Sequence, residues 1–200
     1  MSVSGPALHT QFIPVRLRNL EAVQSDLLVL SLFEEERPPG GLAGLVDWRL
    51  DGLVSRNRLV QKADLRENPY YAGLVLGGFP CGFGEKLLFP ISHKLPFSTA
   101  MVMGLGPRSQ YTSARYRQVV DLLMEAVSSL RASSVTLRLP GWIEAGLPAR
   151  RAVEALMQAW QRIHGGGNWV PGSLTFVEDL QHQAEMAERI EEMVPARTRQ

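Results

Sequence analysis

Two adjacent glycines, Gly40 and Gly41, stand between an apolar run that reads as a strand and an amphipathic stretch that reads as a helix. A glycine turn in that position offers backbone N–H groups and the positive end of a helix dipole, the chemistry of an anion cradle. The same turn can also do no more than reverse the chain. A second stretch of the same polarity, MVMGLGPRSQ from Met101 to Gln110, follows a strand and precedes a helix. Its Gly104 and Gly106 fit the start of a dinucleotide fingerprint, but the third glycine would fall where Ser109 stands. If the two preceding strands run parallel, both loops emerge on one sheet edge, where ligands of open α/β sheets bind. A third glycine stretch, HGGGNWVPG from His164 to Gly172, follows a helix and faces the negative end of its dipole. It reads as a C-cap and turn.

Other reactive side chains do not assemble by spacing. Asp47 and Asp51 fall four apart on the first long helical stretch and could share a divalent ion, but two carboxylates alone bind metal weakly. They read as a solvated helix face. Cys81, in FPCGFG, is the one cysteine and reads as a loop residue, although Lys86 follows closely. His9, His93, His164 and His182 are scattered, and HExxH, CxxC and G-x-S-x-G are absent.

The elements that must position these residues alternate in type. Phe12 to Leu17 alternates apolar and polar, and Leu27 to Phe33 is nearly continuous, as a strand covered on both faces would be. A helix is predicted from Leu42 to about Val54, burying Leu42, Leu45, Val46, Leu50 and Leu53. GLVLGGFPCGFGE reads as a strand and a hairpin-like turn. Lys86 to Ile91 and Thr99 to Met103 read as strands, and Ser113 to Arg131 as a helix with Tyr116, Val119, Leu123, Val127 and Leu130 inward. Ser134 to Leu139 is a strand closed by Pro140. Pro148 opens a helix burying Val153, Leu156, Met157, Trp160 and Ile163, and Gly165 to Gly167 end it. Ser173 to Val177 is the last strand. Leu180 to about Met193 is a closing helix with Glu185, Glu188 and Glu192 outward, and the tail frays after Pro195. Strands alternating with helices predict an α/β layer fold with a mixed, mostly parallel sheet.

With 200 residues, 45% of them hydrophobic, the chain can bury one substantial core. A net charge of +1 gives no global case for nucleic acid or an acidic membrane surface. The first residues have neither a basic nor an apolar signal region, and no apolar run approaches a membrane span. One cysteine suits a reducing compartment, so the expected location is cytoplasmic.

SDLLVLSLFEEE, the Gly-led GLAGLVDWRLDGLV, GFGEKLLFPI, TAMVMGLGPRSQYTSARYRQVVDLLMEAV and SVTLRLP follow one another in an order that resembles the N-terminal domain of the leucyl (cytosol) aminopeptidase family. The order carries the resemblance, since no single motif is specific. It implies a macro-domain-like three-layer α/β fold over residues 12–178, with residues 1–11 a flexible N-terminus and 179–200 a C-terminal helix and frayed tail. The catalytic motifs of that family, resembling G-K-G-x-x-x-D-x-G-G and N-T-D-A-E-G-R, do not occur in this sequence. The resemblance therefore implies a non-catalytic accessory module that acts by self-association or by docking to a protein partner, with no metal ligand and no cofactor carried over.

Kinship to macro domains implies a second reading, an ADP-ribose or nucleotide site. Asp26 would then read an adenine, Gly40 and Gly41 would form the first phosphate loop, and Gly104, Leu105, Gly106 and Arg108 the second. Macro domains carry an asparagine-containing segment where this chain has LSLFEEER, and Glu34, Glu35 and Glu36 would repel a pyrophosphate. A third reading, DNA binding, requires Arg115, Arg117, Arg150 and Arg151 to cluster.

Overall fold

Six runs of β-forming residues pair into one sheet in the order β1-β6-β5-β2-β4-β3 in the computed structural model, which describes residues 8–59 and 79–193. The strands are β1 (His9–Ile13), β2 (Ser25–Leu32), β3 (Lys86–Pro90), β4 (Phe97–Gly104), β5 (Ser134–Leu137) and β6 (Ser173–Val177). All neighbours run parallel except β3, which is antiparallel to β4 at the sheet edge. The helices are α1 (Leu17–Glu21), α2 (Gly41–Arg49), α3 (Leu53–Leu59), α4 (Ser113–Leu130), α5 (Ala149–Gly165) and α6 (Leu180–Met193). The expected α/β sheet flanked by helices is the one observed.

Alternation along the central strands sorts two cores. Leu27 and Val29 of β2 join Met101, Met103, Val135, Leu137, Leu174 and Phe176 beneath α4, α5 and α6. Leu28, Leu30 and Leu32 point the other way, with Ala100, Val102 and Val177, onto Leu20, Leu42 and Val46 of α1 and α2. A parallel strand buried on both faces must be apolar at nearly every position, as SDLLVLSL is. The parallel strands also send the loops after β2, β4, β5 and β6 to one edge.

Two expected elements differ, and so does one expected core residue. The first strand occupies His9–Ile13, because pairing with β6 begins at His9, and Pro14, which has no N–H, follows its end. Leu17, expected in that strand, opens α1. The helix expected from Leu42 to Val54 breaks at Leu50–Gly52, where Asp51 and Gly52 take positive φ. The Asp47 carboxylate accepts from Val54 N at 2.8 Å and Ser55 N at 3.1 Å, starting α3. Asp47 is therefore a buried cap and not a solvated helix residue, and Asp51 lies beyond α2, paired with Lys94 at 2.9 Å. Leu130 is 42% exposed, because the chain turns left-handed at Arg131 immediately after it.

The closing helix α6 packs on α5 through Met186 and Ile190. Its acidic face is not free. Glu188 and Glu192 pair with Arg150, Arg189 joins Glu192 and Glu154, and Glu185 accepts from Arg150 N at the start of α5. No described helix is long and apolar enough to cross a membrane. Residues 1–7 and 194–200, and the strand expected before Phe79, lie outside the described residues.

Candidate functional site

At the carboxyl edge of the sheet a cleft of about 190 Å³ opens between the loop after β2 and the loop after β5. Gly40, Gly41, Leu42 and Ala43 line one side, and Arg138, Gly141, Trp142, Ile143 and Glu144 the other, with Leu105 below. Helix α2 has no side-chain cap, and its first backbone bond is Gly44 N to Gly40 O at 2.9 Å. The N–H groups from Gly40 to Ala43 thus precede the helical ladder, the arrangement that suits an anion. Gly41 has φ +52°, and a Cβ there would stand 3.4 Å from Arg138 Nη1.

The loop after β4 is used differently. Gly104 N donates to Glu85 O at 2.8 Å, Leu105 N to Leu32 O at 2.9 Å and Gly106 N to Cys81 O at 3.0 Å. These three amides hold loops together and are not free to meet a phosphate, which corrects the expectation of a second cradle built from their N–H groups. Gly104 is required by packing, since a Cβ would fall 2.2 Å from Gly82 O and 2.5 Å from Cys81 C.

Arg108 follows, and its guanidinium bridges two carboxylates of the cleft lining. It donates to Glu36 Oε1 at 2.8 Å and to Glu144 Oε1 at 2.9 Å, and lies 4.4 Å from the Phe33 ring centroid. Its own N–H donates to both carboxylate oxygens of Glu35 at 3.1 Å. The glutamates that precede the glycine turn and the arginine that follows Gly106 therefore neutralise one another over the cleft.

On the far side of the cleft, Glu178 is wholly buried just after β6. Its Oε1 accepts from Leu139 N at 3.1 Å, and Arg138 Nε stands 3.6 Å from its Oε2. Burial pushes its carboxyl up to about 7, against the opposing pull of Arg138 and of the Leu139 N–H. Arg138 also donates to Asp179 at 3.0 Å.

Of the residues singled out in the sequence, Gly40, Gly41 and Leu105 line the cleft, Arg108 bridges two carboxylates of its lining, and Gly104 and Gly106 lie behind in structural bonds. Asp26 is elsewhere. It sits near the amino end of β2, accepting from Ser133 N and Ser134 N at 2.8 and 3.1 Å, beside a separate crevice with Pro96 and Ser98. Arg138 and the run from Gly141 to Glu144 were missed. LPGWIEAGLP has the same strand, glycine loop, helix order as the opening stretch, and that polarity was the available signal. Cys81 is buried with φ +63°, and among the described residues no group of three or more His, Cys, Asp or Glu could hold a metal. Arg150 and Arg151 are paired with glutamates, and Arg115 lies over the Phe83 ring.

Comparison with known proteins agrees with this architecture. A probable cytosol aminopeptidase from Ralstonia pickettii is 30% identical over 118 residues, 59% of this chain and 20% of that protein. The chain thus spans about a fifth of that relative's length. Among solved structures, the macro domain of ganglioside induced differentiation associated protein 2 superposes with a TM-score of 0.61 at 14% identity, over 94% of this chain and 86% of that one. A Trypanosoma brucei macrodomain solved in complex with ADP-ribose gives 0.57 at 15%, over 93% and 69%. A point mutant of tomato leucine aminopeptidase gives 0.56 at 15%, over 96% of this chain and 37% of that one. No protein-family model matches the chain. The fold is macro-like, the kind found in the N-terminal region of leucine aminopeptidase.

Proposed function

We propose that this macro-like domain is a non-catalytic accessory module of the cytoplasm that acts by contact with another protein chain, a second copy or a partner. The observation that carries the reading is the Arg108 bridge between Glu36 and Glu144, which engages two carboxylates of the cleft lining in an internal ion pair. A pyrophosphate would have to break that bridge and then face the carboxylates it releases. The cleft's 190 Å³ is also below the roughly 300 Å³ at which small-molecule pockets begin. Exposed apolar side chains stand on the same loops and helix, Trp48 on α2 at 74% and Ile143 on the cleft wall at 53%. Such residues are the material of protein contacts.

Sedimentation over a range of concentrations, with and without cell extract fractions, tests the reading together with a thermal-shift titration of ADP-ribose to millimolar levels. Association weakened by Trp48→Glu, with a flat ADP-ribose curve, is the expected result. A saturable ADP-ribose shift that disappears in Gly41→Glu would replace it with the second reading, an ADP-ribose-like ligand. That second reading draws on the uncapped start of α2 beside Arg138 and on the neighbour solved with ADP-ribose.

A further inference from the structure

Arg138 stands between two different environments. Its Nη1 faces Gly41 at the start of α2, while its Nε and Nη2 face Glu178 and Asp179 behind the cleft. Asp179 is half exposed and water screens it, whereas Glu178 is fully enclosed. The two carboxylates therefore differ in how firmly they can hold the guanidinium. Glu178 Oε2 has no hydrogen-bond partner of normal geometry, and the buried Trp142 indole N–H is the donor that stands toward the carboxyl and partly offsets its burial. A buried carboxylate with one unsatisfied oxygen is costly to keep charged, and a proton relieves that cost directly.

We propose that Glu178 and Arg138 form a proton-operated latch behind the cleft: the ionised carboxylate fixes the guanidinium from its Nε side, and a proton taken onto Oε2 leaves the guanidinium held by Asp179 alone. The charged and titratable groups around Glu178 are consistent with that assignment. Arg138 comes from the end of β5, Asp179 from the link to α6, His182 from α6 itself and Tyr116 from α4. Arg16 shares a crevice with Asp179. Tyr116 stays protonated, because burial raises it well above its ordinary value, and its hydroxyl donates to Ala152 O. His182 packs edge-on against the Trp142 ring with centroids 4.9 Å apart, so its substitution is the control for the Trp142 signal. The latch changes the charge the cleft presents without any change of fold, and it does not depend on what the cleft binds.

Carbon-detected NMR of the whole chain through a pH titration tests it. The Glu178 carboxyl carbon is expected to titrate near pH 7, and the Arg138 Nε–H and Trp142 Nε1–H signals to move with the same midpoint. In Glu178→Gln those two signals should stop moving in that range, and in His182→Gln they should move as in the wild type. Should Glu178→Gln fail to fold, the wild-type and His182→Gln titrations decide the matter alone. A Glu178 midpoint below about 5, the ordinary carboxylate range, overturns the latch. So does a midpoint near 7 with Arg138 unmoved, or movement that His182→Gln abolishes.

Discussion

Arg108 Nη1 donates to Glu144 Oε1 at 2.9 Å, fastening the loop after β4 to the loop after β5. The two residues are 36 positions apart and no local pattern links them. With Glu36 on the other nitrogen, the same guanidinium engages two carboxylates of a site whose shape would otherwise suit an anion.

Removing the two carboxylates should restore that chemistry. In Glu36→Gln with Glu144→Gln, Arg108 loses both partners and adds its charge to the uncapped start of α2. ADP-ribose is expected to leave the wild-type melting curve flat and to raise that of the double variant saturably. A ligand at about 100 times its Kd adds roughly 2.7 kcal/mol, enough to read by thermal shift. If the double variant also stays flat, the glutamates are not what blocks the cleft.

Breaking the bridge itself should matter little for stability. Both pairs are partly exposed, so Arg108→Ala should cost no more than about 1 kcal/mol in urea unfolding. A loss of several kcal/mol would make Arg108 a structural clamp.

The two glycine loops should separate in mutagenesis. Gly104→Ala places a Cβ against the Gly82 and Cys81 backbone, which cannot rotate away, and should cost upwards of ~3 kcal/mol or prevent folding. Gly41→Ala meets only the end of Arg138 and the strain of positive φ, about 1–2 kcal/mol. Equal melting temperatures for the two variants would contradict the packing at Gly104.

Stability should depend on Glu178 with a definite sign. Its folded carboxyl, near 7, lies above the usual 4.5, so the native state binds the proton more tightly than the unfolded chain. This group's contribution is greatest below 4.5 and declines as the pH rises through 7. At ~1.4 kcal/mol per pH unit the full difference is on the order of 3 kcal/mol. Urea unfolding at several pH values should show that decline in the wild type and a flatter profile in Glu178→Gln. Identical profiles would remove Glu178 from the balance.

Helix α6 should loosen in acid for the opposite reason. Hydrogen bonds from Arg189 hold the Glu154 and Glu192 carboxyls below their ordinary range. The contribution of these pairs is present above that range and is lost as the pH falls through the lowered values. Protection of the α6 amides, taken relative to the intrinsic exchange rate at each pH, should fall in acid and in high salt before that of β2 does. Met186→Ala, which empties a fully buried position, should cost about 2–5 kcal/mol under all conditions.

Most of the fold was legible because its cause is local. The doubly apolar run of β2, the inward stripe of α4 from Tyr116 to Val127 and the Pro148 start of α5 each follow from periodicity or backbone chemistry within a few residues. The break between α2 and α3 was not legible, because the Asp47 carboxylate that starts α3 has the spacing of an ordinary helix-surface residue. Half of the cleft was legible for the same reason. Gly40 and Gly41 declare themselves by strand-to-helix polarity, whereas Arg138 and Glu144 become part of the site only when β5 is laid beside β2.

The alternation of elements, the two-sided burial of the sheet and the glycine turn that starts α2 follow from the order of residues alone. Each of these is set by hydrophobic period and backbone freedom along a short stretch of chain. Folding is what commits the amides of Gly104, Leu105 and Gly106 to neighbouring segments, sets Arg108 between two distant glutamates, and encloses Glu178 behind Arg138. Hydrogen-bond partners, ion pairs and desolvation depend on which groups meet across the fold, and the order of residues along the chain does not carry that distance.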